Sequence, residues 1–470
     1  MNRIFAIAHN TLKQGIRLKI SLIIILFLIL VVIGFPFAVQ SDGTQKGRIQ
    51  IILVYSISLA GFLLSVLTIF LSTTTMCKDI SSHQIMTVDI KPVRRYEILI
   101  GKWLGIMFLN MFLVFCMGCV MYFVIKIAQK IPAKETSAMH SAADILISRK
   151  KFMPQPMDIE KLVEREIEQR KKYSEIPPGV TEEKLRHNLR RAIERSVRAV
   201  PPNYETEWII KGIKSPKGDI VARYKFHTGR PLTETGQKQQ LIGVWTAGKR
   251  EKGNFVEIPV SNAADVFHQI YIPREVLDND TLYLSYANID PLNITVLFPV
   301  HDGVEVMAPV GGFSFNFFKG LLLLLIGIAF ISTIGIITGS IFSFPTAIAV
   351  CIFIYGLSLS TGFVRELAFM EAHQCPGCPA HTHTEEQKPV GIGANVLGDI
   401  SRYFFKGILL LIPDINKTNP SGYLSTGIFI SFFDVLRQFF SIIMLRVIPL
   451  FLAGFYFFYR REIALGDTSM

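Results

Sequence analysis

Three groups of residues in this chain have the types and spacing for chemistry. The first is "HQCPGCPAHTHTEE", which sets Cys375, Cys378, His381 and His383 close together, with His373 just ahead. C-x-x-C beside histidines is a metal-ligand composition, because zinc and copper take thiolate sulfur and imidazole nitrogen. In an oxidising compartment the same cysteines form a disulfide instead, and both readings stay open. Haem attachment does not, since no histidine directly follows Cys378. The second is Arg446, a lone guanidinium inside the apolar run "IIMLRVIPLF". A charge at mid-membrane costs about 3 kcal/mol, so such a group faces the protein interior or a wet cavity; the alternative sets it at the outer headgroups. The third is "DIKPVRRYEILIGKW", residues 89–103, a compact basic segment marked by Pro92. Spacings such as G-x-S-x-G or H-E-x-x-H do not occur, so no catalytic residue is assigned.

The elements that must position these groups are mostly apolar. Half of the 470 residues are hydrophobic, and they concentrate in long runs toward both ends. A membrane helix needs about 20 apolar residues. Six runs meet that length: 20–39, 51–71, 104–127, 318–341, 344–363 and 439–458. The first is too long for a signal-peptide core and has no small-residue cleavage site after it, so it reads as retained. Lys and Arg gather before the first run, between the second and third, and after the sixth. The bias of cations toward the cytoplasm then puts both termini inside. The expected class is an α-helical integral membrane protein with six transmembrane helices, in a bacterial inner membrane.

This topology exports residues 128–316 and 364–438, with spans over 20–127, 317–363 and 439–470. Residues 1–19 place Phe5, Ala8, Leu12 and Ile16 at helical spacing among cations, which predicts an amphipathic helix on the inner membrane surface. The large insert has two textures. Residues 145–200 are charged and helix-like, with Leu185, Leu189, Ile193 and Val197 on one stripe. Residues 204–310 carry eight short β-branched and aromatic runs separated by turn residues, which predicts a β-sandwich or jelly-roll. The insert is therefore an α+β domain. The net charge of +12 resides in loops and in this domain, no nucleic-acid recognition motif accompanies it, and membrane lipid is the expected anionic contact.

The basic segment and its lead-in, "KDISSHQIMTVDIKPVRRYEILIGKWLG", resemble the cytoplasmic loop between the second and third helices of type-2 ABC transporter permeases. The matching positions are Asp79-Ile80, Gln84-Ile85, Lys91-Pro92, Arg95 and Gly101-Lys102. Gln84 stands where threonine is usual and Asp79 where glutamate is usual. "MNRIFAIAHNTLKQGIRLKI", "LLLIPDINKTNP" and "FYFFYRREIALG" are also similar to that family, and the insert is not. The resemblance implies a coupling loop over 73–103 that docks on a separate cytoplasmic ATPase subunit, which holds ATP and Mg. Lys91, Arg94 and Arg95 would pair with acidic groups there, and Pro92 would set a bend; the alternative is a topology anchor touching lipid phosphates. It further implies two permease chains per complex, as a homodimer or a mixed pair. This chain holds no G-x-x-x-x-G-K-[ST], so it carries no ATPase site and no cofactor of its own. The expected function is export of an unidentified substrate driven by the partner's ATP hydrolysis. Two rivals stand beside it: an ATP-driven complex that works on an extracytoplasmic protein partner, and a membrane-anchored sensor or structural protein whose β-domain binds.

Overall fold

The apolar runs fold into helices that extend beyond the stretches marking them. The structure, a computed structural model, describes residues 2–38, 45–82, 94–130, 146–154, 159–172, 185–186, 189–190, 193, 199–214, 218–228, 240–291, 294–299, 303–369, 403 and 406–460. In chain order the helices are α1 (Asn2–Arg17), α2 (Lys19–Ala38), α3 (Gln45–Ser81), α4 (Arg95–Lys130), α5 (Ile159–Lys172), α6 (Phe313–Ile341), α7 (Phe344–Leu359), α8 (Thr361–Phe369), α9 (Ser421–Ser425), α10 (Phe432–Phe439) and α11 (Ile448–Arg460), with a π-helical segment, Phe440–Val447, between the last two. The chain divides into two compact units, Met1–Leu146 with Phe313–Met470, and Ile147–Gly312.

In the first unit, four helices among the described residues are long and apolar enough to cross a membrane: Gly47–Ser81, Arg95–Lys130, Phe313–Ile341 and Phe432–Arg460. The N-terminal pair Arg3–Arg17 and Leu22–Val32 is bent by 72° at its break, and α7 is a shorter apolar helix. This is the pattern of a helical membrane protein that also carries a β-sheet unit. Of the apolar window of α6, 83% is buried, against 17% for Phe432–Arg460, so α6 is the central helix and the last one is peripheral. α6 runs along α3, and Gly335 permits the approach: a Cβ there would collide with the Ser72 hydroxyl.

Within segment 364–438, the described residues from 406 on pack into the helical unit. Ile415, Leu424 and Ile430 are buried in the same core as α3 and α6. Asn316 of α6 accepts from the Ile430 N–H at 2.7 Å and donates to the Ile428 carbonyl at 2.8 Å. Ser358 donates to Pro413 O, and Gln50 of α3 to Ser425 O. These polar side chains satisfy backbone groups that turns and short helix ends leave open, as burial requires.

The second unit is antiparallel throughout its described strands. The strands are β1 (Ile147–Phe152), β2 (Ala199–Val200), β3 (Glu205–Lys211), β4 (Ile220–Tyr224), β5 (His227–Thr228), β6 (Gln240–Lys249), β7 (Asn254–Ala263), β8 (His268–Ile272), β9 (Thr281–Asn288), β10 (Val296–Leu297) and β11 (Val304–Gly312). They form sheets β1-β11-β4-β8, β2-β10-β5 and β3-β9-β6-β7. Burial alternates along β9, with Leu282, Leu284 and Tyr286 inward, as the two-residue strand period demands. The inner faces of the two larger sheets share one core. Tyr224 of β4 meets Trp245 of β6 with ring centroids 4.7 Å apart, and Tyr286 meets the same indole at 5.0 Å. This is sandwich packing, and each of the eight runs over 204–310 contains a strand.

The helical expectation for 145–200 needs correction at its start, where Ile147–Phe152 is an edge strand paired with β11. Its sequence, ISRKKF, is charged as sheet edges often are, and Lys151 pairs with Glu305 of β11 at 2.5 Å. Pairing to a partner strand overrode the local resemblance to the charged helix that follows. Beyond it, Val163 and Ile167 of α5 pack with Leu185 and Leu189 in a small separate core, so these two residues of the stripe are buried; Ile193 is partly buried against it, and Val197 lies outside the described residues.

Candidate functional site

Around the basic segment, the described residues join four helices. Lys102 lies two turns into α4 and is 2% exposed. Its Nζ meets Asp79 Oδ2 at 2.5 Å and donates to Thr75 O at 2.7 Å, both on the last turns of α3. The ammonium thus ties the end of α3 to the start of α4, across the base of the loop between them. Asp79 and Lys102 are each other's partners, so neither charge is left for an outside contact.

One residue before Lys102, Gly101 faces α1. A Cβ on Gly101 would lie 2.8 Å from Ile7 Cβ, and one on Gly105 2.5 Å from Ala8 O. The two glycines, one turn apart, form a shallow seat for α1, where Ala8 and Thr11 are buried. The buried face of α1 therefore runs through Ala8, Thr11 and Gly15, while Phe5 and Ile16 are exposed at 53% and 47%. Of the expected apolar stripe, Ala8 and Leu12 turn to the bundle and Phe5 and Ile16 away from it.

At the first residue of α4, the Arg95 guanidinium donates to Phe458 O at 3.1 Å and Tyr459 O at 2.9 Å. It also lies over both rings. A cation on the last carbonyls of a helix satisfies open acceptors and complements the helix dipole. Arg95 is thus committed to the end of α11. Arg94 caps α4 through its backbone, whose N–H donates to Glu97 Oε2 at 2.9 Å, and it is exposed. Ile85, Lys91 and Pro92 lie outside the described residues, as do Cys375, Cys378, His381 and His383. Among the described residues, no three His, Cys, Asp or Glu side chains group as metal ligands.

Arg446 sits at the midpoint of the helical run Phe432–Arg460, within the π-helical segment. Its Nη1 donates to Ser441 O at 2.7 Å and to Ser441 Oγ at 2.9 Å, and its Nη2 to Leu409 O at 3.3 Å. Pro449, just past the π turn, has no N–H to return to the preceding turn, and its ring crowds the carbonyl four residues back. The widened turn relieves that crowding, and such π turns occur often at functional sites. Arg446 Nε is buried with no hydrogen-bond partner among the described residues.

Beside Arg446 opens a cavity of about 650 Å3. Arg365 of α8, Lys406, Lys417, Arg437 of α10 and Arg446 line it, with Asp414 and Asp434 the acidic groups among the described residues. The sequence reading singled out only Arg446 of these. The others are single charges at the edges of apolar runs, and nothing in their spacing marks them as one group. Lys319, also missed, is buried in α6, donates to Ile430 O and lies 3.8 Å from the centre of the Phe429 ring.

With this geometry in hand, comparison with known proteins adds no relative: no protein-family model matches the chain, nor does any curated protein or solved structure.

Proposed function

We propose that the chain is the membrane-spanning subunit of an ATP-driven transporter of the type-2 ABC kind, with six spans, both termini in the cytoplasm and the ATPase on a separate polypeptide. One observation carries this reading: the start of α4 is bonded to three other helices at once. Lys102 holds the end of α3, Arg95 the end of α11, and Gly101 with Gly105 receive α1. A push on the segment between α3 and α4 therefore moves four helices together, because short, buried contacts transmit displacement rather than absorb it. The coupling loop of such a permease needs that property. ATP and Mg belong to the partner, and export of an unidentified substrate is the output. A second copy of the chain completes the assembly.

A second reading has its own support. The sandwich of Ile147–Gly312 has a complete aromatic core of its own. A unit of that size suits an ATP-driven complex that works on an external protein instead of moving cargo.

The test is affinity purification of the tagged full chain from its native membrane in mild detergent, with mass spectrometry of its companions. Arg94→Glu is the informative variant, because the Arg94 side chain is exposed while Arg95 is committed to α11. An ATPase that accompanies the native chain and is depleted at least several-fold from Arg94→Glu supports the proposal. If the native chain carries no ATPase in any mild extraction, the proposal fails and the sensor or structural rival takes its place.

A further inference from the structure

The cavity beside Arg446 combines a volume, a charge and an apolar wall that together specify a ligand. Its size, about 650 Å3, lies within the range of small-ligand pockets, about 300–1,000 Å3. Five cations face two carboxylates among the described residues, an excess of three positive charges. The carboxylates are already engaged. Asp434 accepts from the Ser431 N–H in the capping box of α10, and Asp414 lies between Arg365 at 3.5 Å and Lys417 at 3.9 Å. Arg446 spends its Nη groups on neutral oxygens, and the Arg437 side chain has no partner among the described residues. Cations gathered beside apolar helices repel one another and carry a desolvation cost, which an anion in the cavity relieves. The remaining wall is greasy: Leu323, Leu409, Ile412, Ile430 and Ile442 are apolar, and Leu410, at 76% exposure, forms an open lip. Such a cavity suits an anionic head with hydrocarbon attached.

We propose that this cavity binds the phosphate headgroup of an anionic glycerophospholipid, held by Arg437, Lys417 and Lys406 with Arg446 at its base, while the acyl chains leave over Leu410. The site belongs to a single chain and stands whether or not an ATPase partners the protein. Arg437 is exposed at the cavity, open to an approaching phosphate, and a charge-assisted bond from a guanidinium to phosphate is among the stronger hydrogen bonds available.

The test uses the full chain in a neutral mild detergent, with binding read by native mass spectrometry and by thermal shift. The probes are phosphatidylglycerol, phosphatidylcholine with the same acyl chains, and glycerol phosphate without chains. Phosphatidylglycerol should be retained at one per protomer and raise the melting temperature, and the other two should do neither. The double variant Arg437→Gln/Lys417→Gln should weaken phosphatidylglycerol about tenfold, while Arg460→Gln, a cation outside the cavity, leaves it unchanged. Should the double variant melt abnormally without lipid, Lys406→Gln replaces it. Equal retention of the two lipids, or native affinity in the cavity variants, overturns the proposal. A shift produced equally well by glycerol phosphate overturns the lipid and assigns the cavity to a soluble phosphate ester.

Discussion

Lys102 and Asp79 illustrate how a residue singled out for one role is used for another. Both belong to the segment that resembles a docking loop, yet their charges meet each other at 2.5 Å with Lys102 nearly sealed from water. Removing one partner of a buried pair leaves the other charge stranded, at a cost of about 3–5 kcal/mol, whereas replacing both with apolar residues is often close to neutral. Lys102→Met should therefore lower the stability of the helical unit by that amount in a detergent melt, and Asp79→Leu added to it should restore most of the loss. Additive losses would mean that the contact contributes nothing. A surface pair in the β-unit behaves differently. Asp278 lies 2.9 Å from Lys252 and 3.4 Å from Lys249, and the hydrogen bond from Lys252, followed by that from Lys249, holds its carboxyl below the usual range. A depressed acid stabilises the fold above its unfolded value, about 3.9, and loses that contribution as the pH falls through its folded value. Asp278→Asn should thus lower melting slightly at pH 7, where the contribution is present, and should flatten the decline of the β-unit below about pH 4, where it is lost. A native-like acid decline in the variant would remove Asp278 as its cause.

At the scale of the element, two helices depart from their sequence patterns for packing reasons. α1 has an apolar stripe at helical spacing, but the face it buries is set by the seat on α4, where Gly101 and Gly105 admit backbone at van der Waals distance. Glycine spacing is legible in a sequence; which helix comes to sit on it is not. Gly105→Leu should push α1 from its seat and destabilise the helical unit by about 1–3 kcal/mol, since an inserted side chain has no room. Gly34→Leu, in a helical position with nothing within 4 Å of the added Cβ, should be neutral or slightly stabilising, because leucine is the better helix former. Comparable melting of the two variants would deny the seat its importance. The π-helical segment is the second case. Arg446 was visible as a charge within an apolar run, facing either the interior or the outer headgroups, while its return onto Ser441 and Leu409 depended on a neighbouring segment that no periodicity describes.

For the whole molecule, the two units have separate cores, one of helices and one of facing sheets. Trp245 is fully buried between Tyr224, Tyr286 and Phe298. Trp245→Ala should cost the β-unit about 3–5 kcal/mol through lost burial and a residual cavity. Calorimetry of the full chain should show the transition of that unit shifted down and the helical transition unmoved. A single transition that moves as one would mean that the units fold as one cooperative block. Co-purification with Arg94→Glu operates at this same scale, because it asks what the chain assembles with and not how it folds.

Hydrophobic length and alternation are local properties, and they were sufficient for four long apolar helices among the described residues, of the six spans expected, for the strands over 204–310 and for the division between greasy ends and a polar middle. The charged strand Ile147–Phe152 escaped that reading because its pairing with β11 joins residues far apart in the chain. The cavity beside Arg446 escaped it for the same reason: Arg365, Lys406, Lys417 and Arg437 become one positive group only after α8 packs on α7 and the turn before α9 and α10 fold against α6. Composition and periodicity determined that this chain has membrane-compatible helices and a separate β-rich unit. Tertiary packing alone decided which charges neutralise each other and which are left together, because electrostatic partnership falls off over a few ångströms and takes no account of distance along the chain.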